Sequence, residues 1–208
     1  MCQEVLEIVC KLNKKNFNLQ LALQCAPTIT GVKISNLFPM KRQQEEVFRM
    51  LFRKSHLHYF RLSDGGETDR VTYLLYRRDE LLAYLQKAQV RAFLQSCGYR
   101  SYSLGAVLRR FQQRYENYMR GESNEFPHEM GMILGYPVED VVGFIRNDGQ
   151  NYLYRGYWKV YDNVTEKKKI FAQYEAAKEE LVRLIAANQD IRTIIQKYQN
   201  SQVDSAAC

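Results

Sequence analysis

The chain has 208 residues, 46% of them hydrophobic and 12% aromatic, a balance that excludes an intrinsically disordered protein. Thirty Lys and Arg against 23 Asp and Glu give a net charge of +7, which permits a polyanionic partner without requiring one. No apolar run is long enough to span a bilayer, and the odd set of five cysteines (Cys2, Cys10, Cys25, Cys97, Cys208), none in C-x-x-C spacing, fits free thiols better than a disulfide frame.

At the start, "MCQEVLEIVCKLNKK" carries its acids before and its lysines after the apolar residues. That is the reverse of a signal peptide, so a cytoplasmic protein is expected. Val5, Leu6, Val9, Cys10 and Leu12 have helical spacing. "FNLQLALQC" alternates like a strand, but its Leu, Gln and Ala content favours a helix. "APTITGVKISNLF" reads as an irregular segment with a short strand, broken by Pro27 and Gly31. "KRQQEEVFRMLFRKS" predicts an amphipathic helix burying Val47, Met50 and Leu51, with Phe48 beside them.

The plainest β signal is "HLHYFRL" and "RVTYLLYR" joined by "SDGGETD", a hairpin near 57–77. One helix is expected over "ELLAYLQKAQVRAFLQSC", capped by Asp79 and ended by Gly98. "SLGAVLRRFQQRYENYM" predicts another, with Leu104, Leu108, Phe111 and Tyr115 on one face and Arg109, Arg110 and Arg114 largely off it. In "FPHEMGMILGYPVEDVVGFI" Pro127 and Pro137 suit the first turns of two helices, with Gly135 between them. Val138, Val141, Val142 and Ile145 form the stripe of the second helix, and Phe126, Val138, Val141, Ile145 and Trp158 are expected in one core. Glu139 and Asp140 suit the dipole of its first turn. "NYLYRGYWKVY" reads as a further strand near 152–161, and a long charged helical region runs from about 165, broken near Asn188. The whole predicts an α+β fold, mostly helical with a small antiparallel or mixed sheet, as one domain over 1–200 with a frayed tail at 201–208.

Three separated blocks, "CAPTITGVKISNLF", "FPHEMGMILGYPVEDVVGFI" and "GYWKVY", together resemble the bacterial family known as domain of unknown function 3793. The resemblance implies a reducing cytoplasm in anaerobic, clostridia-like bacteria and implies no activity. A cysteine often precedes the third block in that family; here the position is Arg155, which argues against chemistry needing a second thiol there.

Two functional classes follow. In the first, the chain binds a ligand or partner, with Lys33, Tyr136, Tyr157, Trp158 and Lys159 as candidate contacts in or beside these blocks. In the second, it is a thiol-dependent hydrolase or transferase. Cys25 would be the nucleophile, His128 the base that draws off its proton, and Glu129 or Asp140 the carboxylate that orients the base. Against the second, nothing in the sequence around Cys25 would lower its pKa. His56-x-His58 supplies two metal ligands and "HEMGM" lacks the second histidine of H-E-x-x-H, so no metal site is expected. No phosphate-cradling glycine motif names a cofactor. Nucleic acid through Arg109, Arg110 and Arg114 with Lys87 and Arg91 is open but not favoured, because no nucleic-acid motif accompanies them.

Overall fold

The computed structural model describes residues 1–12, 16–66 and 68–206. Helix α1 (Gln3–Lys11) leads to α2 (Phe17–Ile29), whose start is fixed by Asn16: its side chain accepts from Asn18 N at 2.9 Å and Leu19 N at 3.2 Å. The helical reading of "FNLQLALQC" therefore holds. Pro27 does not break α2. It sits in the last turn, and the helix ends at Ile29 with Lys33 N donating to Pro27 O.

Strands β1 (Ser35–Lys41), β2 (Leu57–Ser63) and β3 (Arg70–Arg77) form an antiparallel sheet in the order β1-β3-β2. The hairpin expected near 57–77 is β2–β3, with Gly65 and Gly66 both at positive φ in its turn. β3 is central and covered on both faces, which explains its unbroken apolar run. Val71, Tyr73 and Leu75 face one cluster, and Leu74 and Tyr76 the other. Pro39 is tolerated because β1 is an edge strand.

Between β1 and β2, α3 (Glu45–Phe52) buries Phe48, Leu51 and Phe52 and leaves Val47 and Met50 exposed. The expected face is corrected here. Two stripes share Leu51, and the aromatic one wins: Phe48 contacts Phe38, Phe52 and Tyr73 at ring distances of 5.7, 4.9 and 5.0 Å.

The single helix expected after β3 is two, α4 (Arg78–Leu85) and α5 (Ala88–Ser96), and Asp79 does not cap it. The break has a geometric cause. In one continuous helix Val90 and Leu94 would lie about half a turn from Leu81 and Leu85. Extended Lys87 re-phases the chain so that all four enter one cluster. Helices α6 (Leu104–Met119), α7 (Met130–Ile133) and α8 (Val138–Arg146) complete this side.

The strand expected near 152–161 folds back on itself as β4 (Tyr154–Arg155) and β5 (Lys159–Val160), antiparallel, with Gly156 N donating to Trp158 O. Gly156 is required: a Cβ there would lie 2.2 Å from the Phe171 ring. The C-terminal helical region is α9 (Val164–Ala186) and α10 (Ile191–Ala206), separated where Asn188 takes φ 57°. Residues 207–208 of the expected tail, with Cys208, lie outside the described residues. The fold is α+β and mostly helical, as its sequence predicts.

Candidate functional site

The stretch 126–145 builds a corner in three steps. First, Met130 N donates to Pro127 O and Gly131 N to His128 O, winding one turn of α7. Gly135, at φ 72°, then reverses the chain with its α-carbon against Ile34. Pro137 stands in extended geometry as the N-cap of α8. The corner is held from outside by Tyr84, whose hydroxyl donates to Tyr136 O at 2.5 Å, and by Ser35, whose hydroxyl donates to Ile133 O at 2.6 Å.

Asp140, in the first turn of α8, is 2% exposed. Its Oδ2 accepts from Trp158 Nε1 at 2.7 Å, and its Oδ1 accepts from Tyr161 N at 2.8 Å and Asp162 N at 3.3 Å. One carboxylate thus ties the β4–β5 hairpin to α8. Glu139 adds a second tie, to Lys167 of α9 at 2.7 Å. Burial pushes the Glu139 carboxyl up, but the Lys167 ammonium more than offsets this and its pKa falls below the ordinary value.

Between corner and hairpin lies a cleft of about 370 Å³, walled by Phe126, Tyr136, Phe144 and Trp158 among others. Tyr136 stacks on Trp158 at 4.7 Å, and Trp158 meets the Phe171 ring edge-on at 4.5 Å. The His128 ring stands between Phe126 and Phe144, at 5.2 and 5.8 Å. It makes no hydrogen bond among the described residues. Lys159 Nζ donates to Gly149 O at 2.6 Å and lies over the Phe144 and Tyr152 rings. Arg155 is exposed and pairs with no acid among the described residues.

Of the residues proposed for catalysis, His128 and Asp140 line this cleft and Cys25 does not. Cys25 is wholly buried in the cluster that α2 and α9 share with one face of the sheet, where burial pushes its thiol far above the ordinary range. Glu129 is 0% exposed and turned to α6: it accepts from Arg114 Nε at 2.6 Å and Tyr99 Oη at 3.1 Å. The carboxylate of Asp140 is already spent on the hairpin.

Of the proposed binding residues, Tyr136, Tyr157, Trp158 and Lys159 line the cleft, Tyr157 with its hydroxyl donated to Glu175 at 2.6 Å. Lys33 lies behind it. Its ammonium bonds Ser35 O and sits 5.4 Å from the Tyr136 ring centre, and burial pushes its pKa down to about 7. Phe144 and Arg155 also line the cleft beyond the expected contacts; Phe144 follows Val141 by three residues and so shares its helix face.

Elsewhere, His56 Nε2 lies 3.1 Å from the Arg77 guanidinium, a cation that would repel a metal, while His58 stacks on Tyr76. No group of three or more ligand-type residues is placed for a metal among the described residues. Arg114 is committed to Glu125 and Glu129, and Lys87 and Arg91 lie over Tyr84 and Tyr102. No helix among the described residues is long and apolar enough to cross a membrane.

The family described as "Protein of unknown function (DUF3793)" matches residues 21–195. No curated protein and no solved structure matches the chain. The matched span takes in most of α2 and the whole of the sheet, the corner and the hairpin, and so every wall of the cleft; the chain belongs to the DUF3793 family.

Proposed function

We propose that this chain is a ligand-binding domain whose cleft takes a small, flat molecule carrying a negative charge. One observation carries the reading. The cleft has aromatic walls, its one acid, Asp140, is consumed by three internal hydrogen bonds, and its remaining charged groups are Arg155 and Lys159, with His128 beside them. Aromatic walls favour a planar ring, and a guanidinium and an ammonium at the mouth favour a carboxylate or phosphate on it. A thiol-dependent enzyme built on Cys25 has the buried, high-pKa thiol against it, and His128 faces a cleft that Cys25 does not line. Cytoplasmic residence in a bacterium belongs to the same proposal; the four described cysteines, all free, agree with a reducing compartment. Titration of Trp158 emission with aromatic carboxylates tests the reading, because the chain has one tryptophan and it lines the cleft.

A further inference from the structure

A second hollow, of about 730 Å³, lies between α3 and β2. None of its residues lines the cleft. Arg42, Arg49, Arg53 and Arg61 converge on it, with Glu45 and Glu46 as the opposing acids. The arginines are poorly neutralised. Arg42 donates to the carbonyl of Asp64 at 2.6 Å, Arg61 reaches Glu45 only at 3.8 Å, and Glu45 also accepts from Tyr73 at 2.5 Å. Arg49 and Arg53 pair with no acid among the described residues. Arg61 Nε is enclosed without a hydrogen-bond partner, so its accessible guanidinium nitrogens are the ones that face the hollow. A neighbouring hollow shares Met50 and Arg53 in its lining and adds Lys54 and Arg192 of α10.

We propose that this arginine track binds the sugar-phosphate backbone of a single-stranded nucleic acid. Six cations lining two neighbouring hollows exceed what one small anion would engage, and they suit phosphates spaced along a chain. Arginine forks match phosphate oxygens in pairs. Leu51 and Ile195, which also line the neighbouring hollow, are buried, which leaves Met50 and Tyr59 as broad non-ionic contacts, too little to anchor an acidic amphipathic peptide. α6, with its arginines committed or dispersed, is not part of the track.

The test is fluorescence anisotropy of the full chain with a labelled oligo-uridylate. With about four phosphates engaged, the slope of log affinity against log salt should be about −3, a loss of roughly 50-fold between ~50 and ~200 mM salt. Arg49→Gln with Arg53→Gln should weaken binding at low salt and flatten the slope by about 1.4. Glu46→Gln should tighten binding, which keeps the test decisive if the arginine variant folds poorly. Arg109→Gln with Arg110→Gln should change nothing. The proposal is overturned by no binding at ~50 mM salt, by equal affinity for polyglutamate, by loss of binding in the α6 variant instead, or by a Glu46→Gln variant that binds no tighter than the parent.

Discussion

The indole N–H of Trp158 donates to the carboxylate of Asp140 at 2.7 Å, across 18 residues of chain, and both groups are buried. This bond holds the β4–β5 hairpin over α8 and so shapes the cleft. The same carboxylate accepts two backbone N–H groups from Tyr161 and Asp162. Asp140→Ala leaves one buried and two partly buried donors without their partner and should cost about 2 kcal/mol, read as a lower urea midpoint at unchanged m-value. Trp158 emission should shift to the red as the indole becomes wetter. An unchanged midpoint would show that water replaces the carboxylate without penalty.

Val141 is 7% exposed and Ile145 37%, although both belong to one expected stripe. The expected common core is in fact divided. Val141 joins the sheet-side cluster with Val138 packed against it, Trp158 joins the hairpin cluster, and Phe126 packs on Tyr118 and His128. Val141→Ala should therefore cost on the order of 1–3 kcal/mol, and Ile145→Ala less than about 0.5 kcal/mol. Equal losses in thermal or urea melts would contradict this placement of the helix face.

Cys25 should be the slowest of the four described thiols to react. Its burial pushes its pKa up, whereas Cys2 and Cys10 are exposed. Iodoacetamide labelling followed by mass spectrometry should find Cys2 and Cys10 modified first at every pH. His128→Ala should leave the Cys25 rate unchanged. Faster labelling of Cys25 at mildly acidic pH would restore the catalytic reading.

Lys33 should make stability depend on pH. Burial lowers its folded-state pKa to about 7 from an ordinary 10.5, with the Cys25 thiol nearby opposing the shift. Between these values the unfolded chain holds the extra proton, so stability rises with pH across the window and the penalty is full below it. Relative to Lys33→Met, the parent should gain on the order of 1 kcal/mol per pH unit from pH 7 to 9. Parallel profiles for parent and variant would show that the ammonium is solvated in the folded state.

Much of this fold is legible from local chemistry. The Gly65–Gly66 turn announces the β2–β3 hairpin, and Asn188 marks the break between α9 and α10. Where reading fails, competing patterns are decided only by packing. α3 carries two apolar stripes, and the ring cluster around Phe48 selects one. α4 and α5 form a continuous helical pattern until the phase of Val90 against Leu81 is taken into account. "YRGYWKV" alternates as a strand should, yet Phe171 of α9 leaves room at Gly156 for no side chain, and the segment turns there. The motifs that line the cleft were visible as motifs. Their assembly depends on Asp140 meeting Trp158, a contact that no local spacing reveals.

The central claim is that the cleft beside Trp158 binds a flat anion. Its most direct measurement is the emission of that single tryptophan during titration with an aromatic carboxylate and with its neutral amide. The carboxylate should quench or shift the emission saturably and the amide at least tenfold more weakly. Arg155→Gln with Lys159→Gln should remove most of that preference, about 1–2 kcal/mol. Equal responses to acid and amide, or a preference that survives loss of both cations, would contradict the account.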